Sequence, residues 1–302
     1  MIVDFLLFDN FSNHCLANTV EPLRATNGLS GKPLYQWRFL TIDGKPVTSS
    51  SGLQVTPQST LAGAQGDLLI VMPSYEFRAF DVPDITKQLR SAAGKYDRLA
   101  GFDTGSWLLA SAGLLEGHQA TIHWDEVSSF AEAFPEIDIK RERFILDGNR
   151  ITCSGAMAAF DLTVHLISEE HGKMLALEVA QLFMTKDSSR SHVSDVPVSG
   201  KSVDKAVSYM HENLEHPVPI SAVAKHVGCS QKTLETRMKT ELGASPQSVY
   251  LRLRLNLARK LVADSDQSIA EIAGRCGYEN AGAMTRAFKA VFKVTPRKMR
   301  YP

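Results

Sequence analysis

One pattern occurs twice in the last third of this 302-residue chain. Ile220, Val223, Ala224, Val227 and Gly228 recur as Ile269, Ile272, Ala273, Cys276 and Gly277, offset by 49 residues. Leu234, Met238 and Pro246 recur as Met284, Phe288 and Pro296, offset by 50. The second copy therefore carries an extra residue after its glycine. A self-repeat that survives an insertion in a turn marks a duplicated supersecondary unit. Each copy reads as helix, tight turn, helix. Ile220, Val223, Ala224 and Val227 share one helical face. Ala224 is small enough for a second helix to cross closely, Gly228 suits a left-handed helix end, and Ser230 is a natural N-cap. Leu234 and Met238 then point inward. Such a unit can lay its second helix in a DNA major groove. Between the copies, Pro246–Ser265 reads as one long helix with apolar Val249, Leu253, Leu257 and Leu261, which holds the units at a fixed separation.

A plain helical domain that binds nothing would show the same periodicity, so charge decides. Of 33 basic and 33 acidic residues, 16 and 9 fall within 202–302, net +7, leaving 17 and 24, net −7, in the remainder. A chain neutral as a whole thus has two oppositely charged parts, and the basic part carries the repeat. Residues 202–302, with the run IAGRCGYENAGAMTRAFKAVFKVTPRKMR, resemble the DNA-binding domain of the AraC/XylS family. The resemblance implies double-stranded DNA as partner. Its candidate contacts are Gln231, Lys232, Glu235, Thr236, Arg237 and Lys239 in the first unit, and Ala283, Arg286 and Lys289 in the second. The small side chains of Ala281-Gly282-Ala283 cannot hydrogen-bond base edges. Base reading is therefore expected mainly from the first unit, with Arg286 the one strong base reader of the second. Lys293 stands where the family usually has glycine.

The rest of the chain alternates apolar runs with helical stretches. Expected strands are Ile2–Phe8, Tyr35–Ile42, Asp67–Met72 and Asp97–Phe102, plus a hairpin in Phe144–Cys153 around Asp147-Gly148-Asn149. Expected helices are Cys15–Leu29, broken or kinked at Pro22, then Asp84–Gly94, Ser106–Gly113, Trp124–Phe134, Gly155–His171 and Lys173–Met184. Gly44–Gly52 reads as turn punctuation. This alternation predicts an α/β domain with a mostly parallel sheet, whose ligands bind beyond the carboxyl ends of the strands. At a prior of roughly 150 residues per domain, the length fits about two. The expected division is 1–185 as a sensor domain, 186–201 as a serine-rich linker, and 202–302 as the basic all-α domain.

The run GFDTGSWLLASAGLLEGHQATIHW, residues 101–124, resembles the DJ-1/PfpI-type domain, a flavodoxin-like relative of the class I glutamine amidotransferases. Enzymes of that family carry a reactive cysteine on the strand-to-helix elbow, where a helix dipole stabilises its thiolate. Here that position is Asp103, a far poorer attacking group. No catalytic residue is therefore expected, and Ser106 has no evident base. By the same resemblance Glu21 leans toward the elbow, although a solvated helix position explains it too. His123 is either a pocket hydrogen-bonder or a satisfied core histidine. Trp107 and Trp124 are pocket walls or core aromatics.

Together the two parts resemble the GlxA-type transcriptional regulators. TVEPLRATN, DTGSWLLASAGLL and TCSGAMAAFDL are most similar to the branch responding to arginine, carnitine or glycine betaine. This implies a ligand-responsive regulator, an activator, whose pocket takes an amino acid or quaternary amine. It implies a homodimer formed through the N-terminal domain, and RNA polymerase as a further partner. The competing reading is an amidase- or hydratase-like enzyme with an appended DNA-binding domain, and Asp103 disfavours it. A constitutive architectural binder would have no use for a sensor-like domain. The amino-terminal MIVDFLLFDNF carries Asp4 and Asp9 and no basic leader, so it is expected to be a first strand. No apolar run approaches the ~20 residues of a membrane helix. Four cysteines (Cys15, Cys153, Cys229, Cys276) without CxxC spacing fit a reducing cytoplasm, with neither metal nor cofactor implied.

Overall fold

The computed structural model describes residues 1–183 and 201–301, so the expected linker lies outside the described residues. The chain divides into two compact units. The first comprises Met1–Glu170 and the stretch that begins at Glu178; the second comprises His171–Leu177 and the carboxyl-terminal residues.

The first unit begins with β1 (Ile2–Leu7), α1 (Asn13–Ser30) and β2 (Gln36–Thr41). The short strands β3 (Val47–Thr48), β4 (Gln54–Val55) and β5 (Ser59–Thr60) follow. Then come β6 (Gly66–Met72), α2 (Pro83–Ala93), β7 (Tyr96–Phe102) and α3 (Gly105–Ser111). Next are β8 (Gln119–Ala120), α4 (Val127–Ala133), β9 (Asp138–Ile139), β10 (Phe144–Asp147) and β11 (Arg150–Cys153). α5 (Ala156–His171) completes the run, and α6 (Lys173–Phe183) follows, its residues up to Leu177 counted with the second unit and those from Glu178 with the first.

Seven strands form one sheet in the order β10-β11-β7-β6-β1-β2-β5, parallel except for the β10–β11 hairpin. Leu6, Leu69, Val71 and Leu99 belong to a core shared with Leu89 of α2 and Leu108 and Leu109 of α3. The alternate residues Phe5, Leu7, Leu68 and Ile70 are buried as well, so both faces of the sheet are covered. After β1 the chain builds outward through β2 and β5, then returns to β1's other side for β6, β7 and β11. The order reverses between β1 and β6, and the general rule for such sheets directs attention to the carboxyl ends of the strands around that point.

Two expectations change. Of the break or kink expected at Pro22, the break does not occur: α1 is one helix through this buried proline. A proline removes one backbone donor, and tertiary packing of the helix outweighs that loss. Gly44–Gly52 is not all turn, because β3 lies within it and pairs with β4, just beyond it, as a small antiparallel ladder.

The second unit contains α7 (Lys201–Glu212), α8 (Ile220–His226), α9 (Gln231–Leu242), α10 (Pro246–Asp264), α11 (Ile269–Arg275), α12 (Ala281–Phe292) and α13 (Pro296–Arg300). The repeat is therefore α8–α9 and α11–α12. Gly228 and Gly277 end the first helices at φ +74° and +69°, where only glycine is unstrained. Ser230, Ser245, Ser268, Asn280 and Thr295 each cap the following helix through a side-chain oxygen. α10 serves two cores. Val249, Tyr250 and Leu253 pack with Val223, Leu234 and Met238, whereas Leu255, Ala258 and Val262 pack with Ile272, Met284 and Phe288.

Candidate functional site

β7 passes into α3 through Asp103-Thr104. Asp103 has φ +60°, a left-handed backbone that costs a residue with a Cβ about 1–2 kcal/mol. The surrounding glycines show how tight this elbow is. A Cβ on Gly105 would lie 1.9 Å from the Val71 carbonyl oxygen, and one on Gly101 would lie 2.5 Å from the Ser106 nitrogen. The Asp103 N–H donates to the Cys153 carbonyl and its carbonyl accepts from the His123 N–H, both at 2.9 Å. The elbow is thus fastened to β11 and to the His123 loop.

A second irregular segment follows β6. Ser74 and Glu76 both have positive φ, as does Asn10 beyond β1. The Ser74 hydroxyl accepts from the Ser12 N–H at 2.9 Å. Its own hydrogen is then free for the Asp103 carboxylate, to which it is hydrogen-bonded. Thr104 Oγ1 donates to the Ser74 carbonyl at 2.7 Å, and Asn10 Nδ2 donates to Glu76 Oε2 at 2.9 Å.

These segments enclose a cavity of about 370 Å³, lined by Ser74–Arg78, Asp103, Thr104, His123, Asp125 and Glu126. Four carboxylates line it: Glu76, Asp103, Asp125 and Glu126. Arg78 pairs with Glu126 through two hydrogen bonds, at 2.6 and 3.2 Å, and its guanidinium lies over the rings of Phe77 and Trp107. Burial pushes the Asp103 carboxyl above the ordinary carboxylate range, and the charge of His123 and the Ser74 hydroxyl pull it partway back.

Of the residues singled out from sequence, Asp103 and His123 line this cavity. The other three lie elsewhere. Glu21 pairs with Arg24 at 2.7 Å, and 45% of its side chain is exposed. The buried positions of α1 are Cys15, Leu16, Thr19, Pro22, Leu23, Ala25 and Thr26, so Glu21 falls on the other side of the helix. Trp107 is a core aromatic at 8% exposure, packed against Phe77, Phe130 and Phe134, with its indole N–H donating to Asp81 at 2.8 Å. Trp124 is 73% exposed beside the His123 ring and does not line the cavity. Aromatic surface in the cavity comes instead from Tyr75 and Phe77. These residues follow the carboxyl end of β6, where the strand-end rule would have directed attention.

Two thiols were unexpected neighbours. Cys15 and Cys153 are fully buried, and both feel the Asp103 charge. Burial raises both, Cys153 to about 12, so each stays a neutral thiol. Ser106 is buried, with its hydroxyl donating to the Thr121 carbonyl at 2.7 Å, so it is not presented for attack. Among the described residues no group of three or more His, Cys, Asp and Glu could hold a metal, and no helix is long and apolar enough to cross a membrane.

In the second unit, α9 exposes Gln231, Lys232, Thr236, Arg237 and Lys239, with Glu235 half-buried. Gln231 Nε2 donates to Glu235 Oε1 at 2.9 Å, and Arg237 Nη1 donates to Ser202 Oγ at 3.0 Å. α12 exposes Arg286 and Lys289, while Ala283 is half-buried and its N–H is taken by the Asn280 cap.

Comparison with known proteins agrees with both units. A family model described as a helix-turn-helix domain matches residues 223–301. The chain is 35% identical over 306 residues to the HTH-type transcriptional regulator GbdR of Pseudomonas aeruginosa, covering 99% of this chain and 83% of that protein. An AraC family transcriptional regulator from Pseudomonas putida, known from its crystal structure, is 26% identical with a TM-score of 0.53, over 61% of this chain and 99% of that one. A ThiJ/PfpI family protein from Pseudomonas syringae shares the fold at 17% identity, with a TM-score of 0.53 over 82% of this chain and 90% of that one. The chain belongs to the AraC family of HTH-type transcriptional regulators, in the GlxA type that joins a DJ-1/PfpI-like α/β unit to paired helix-turn-helix units, and it acts on DNA.

Proposed function

We propose that this regulator is governed by a small nitrogenous metabolite, an amino acid or a quaternary amine, bound in the cavity around Asp103. The observation that carries this reading is a buried carboxylate, at the elbow position where the DJ-1/PfpI enzymes this unit resembles carry a cysteine, in a cavity lined by three further acidic residues. Like charges so close repel, and a ligand cation relieves that repulsion. Arg78 stands on the same wall and offers a partner for a ligand carboxylate once its pairing with Glu126 yields. Tyr75 and Phe77 supply ring faces for a cation that cannot donate hydrogen bonds.

In this reading residues 1–185 sense and residues 202–302 bind DNA. The regulator is an activator, it dimerises through the sensing part, and it contacts RNA polymerase in the cytoplasm. α9 and α12 are the recognition helices. Lys232, Glu235 and Thr236 read bases in the first groove, Arg286 reads in the second, and Gln231, Arg237, Lys239, Ala283 and Lys289 face the DNA around them. Isothermal titration of the full-length protein with arginine, carnitine and glycine betaine tests the proposal. Binding of at least one, lost or weakened in Asp103→Asn, is expected. Binding that is indifferent to residue 103 would place the ligand site elsewhere.

A further inference from the structure

Three contacts fix the frame of the two helix-turn-helix units: two run from one face of α10, one toward each unit, and the third joins the units directly. Tyr250 and Arg254 are four residues apart and so stand one above the other. The Tyr250 hydroxyl donates to the Asn213 carbonyl at 2.7 Å and accepts from the Val218 N–H at 3.3 Å. It thereby holds both ends of the loop that leads into α8. Arg254 reaches the other unit. Its Nε donates to the Cys276 carbonyl at 2.7 Å and its Nη2 to the Gly277 carbonyl at 2.6 Å. Its guanidinium lies 4.2 Å from the Tyr278 ring centre. These three residues form the turn between α11 and α12.

The third contact is a close steric seat without a hydrogen bond. A Cβ on Gly277 would lie 2.4 Å from Pro217 Cγ and 2.8 Å from the Leu214 carbonyl oxygen. The loop before the first unit is therefore seated directly on the turn of the second. The matching turn of the first unit is open by contrast, since a Cβ on Gly228 would meet nothing within 4 Å. The repeat is thus asymmetric at the point where its halves meet.

We propose that Arg254 is a positioning residue for DNA recognition. Through the Cys276 and Gly277 carbonyls it fixes the phase of α12 relative to α9, so the protein reads two half-sites at a single spacing. Arg254 touches no base in this role. A planar fork suits the task, because two neighbouring carbonyls and a ring face are met by one rigid group; an ammonium on a flexible stem cannot meet all three.

The test uses the full-length protein and a duplex selected from random DNA by the wild type. Variants of that duplex carry one base pair more or fewer between the two half-sites, which turns the second groove out of phase. The wild type should lose affinity about tenfold or more on each altered spacing, as for a mismatched position. Arg254→Ala should bind the spacing series within about twofold while keeping its base preference in the first half-site. Arg254→Lys separates charge from geometry: it keeps the charge but should not bring back the spacing penalty. Should Arg254→Ala fail to fold by circular dichroism, Arg254→Gln, which keeps an amide donor for one of the two carbonyls, gives the same reading. A wild-type spacing profile in Arg254→Ala or Arg254→Gln, or its full return in Arg254→Lys, overturns the proposal.

Discussion

Asp103 and Cys153 are joined main chain to main chain: the Asp103 N–H donates to the Cys153 carbonyl at 2.9 Å, carrying the β7–β11 pairing one residue past the strand end. This bond holds the Asp103 side chain beside two buried thiols in a place water reaches poorly, at 9% exposure. Burial is what raises its carboxyl above the ordinary range. The folded state then binds more protons than the unfolded state between the ordinary value and the raised one. Stability therefore falls as pH rises through that window. Asparagine has the same shape, accepts a left-handed backbone and does not titrate. Asp103→Asn should gain stability relative to the wild type on going from about pH 4 to about pH 8, read as the difference in urea midpoints. A difference that is constant over that range would mean that Asp103 is not the group that titrates.

The elbow's tightness gives a second test. Gly105→Ala drives a Cβ into the Val71 carbonyl, and neither backbone can yield without breaking the β6–α3 packing. The loss should exceed about 3 kcal/mol, enough to remove most folded protein. Gly28→Ala is the contrast. It lies inside α1 with nothing within 4 Å of its added Cβ, so it should stabilise by about 0.5–1 kcal/mol. Thermal midpoints of the two variants should move in opposite directions.

What was legible in the sequence was what short-range pattern encodes. The repeat showed itself because Val223, Ala224, Leu234 and Met238 and their counterparts all face cores, and helical spacing follows directly from that. The strands β1, β6 and β7 are apolar runs because both faces of the sheet are covered. The cavity was only half legible. Asp103 stands inside a recognisable elbow, but Ser74–Arg78 come from a loop whose path depends on positive φ at residues without the usual glycine signal. Of the two readings open for Glu21, the structure has the solvated helix position: a helix residue two places from buried Thr19 and Leu23 turns away from them. For Trp107 the sequence leaves pocket wall and core aromatic open; the core position is fixed by its indole N–H finding Asp81, 26 residues earlier, which no local pattern reveals.

On DNA, the two recognition helices should behave differently. Lys232 is exposed at the start of α9, and Lys232→Ala should alter base preference in the first groove by about 1–3 kcal/mol. Lys239→Ala should instead weaken all sequences alike and lower the salt slope by about one unit. Randomising the bases of the second groove should cost little except opposite Arg286, because Ala281, Gly282 and Ala283 offer no side-chain donors. Equal sensitivity of the two grooves in a binding selection would show that α12 reads more than Arg286 alone accounts for.

The cavity predicts how ligands of different chemistry respond to its walls. An arginine-type ligand pairs with a carboxylate through two hydrogen bonds, so Asp103→Asn should weaken it strongly, by about 1.5–3 kcal/mol. A quaternary ammonium donates no hydrogen bonds and depends on ring faces. Tyr75 is exposed at the cavity wall, whereas the Phe77 ring already carries Arg78. Tyr75→Ala should therefore weaken a betaine-type ligand by about 0.5–2 kcal/mol, more than Asp103→Asn does. Trp107 lies in the core and holds Asp81, so Trp107→Ala should cost about 3–5 kcal/mol of stability while leaving the affinity of the folded fraction nearly intact. Calorimetry on the three variants, with thermal unfolding alongside, separates these outcomes. A betaine-type ligand that loses affinity in Trp107→Ala but not in Tyr75→Ala would move the aromatic wall from the β6 loop back to α3.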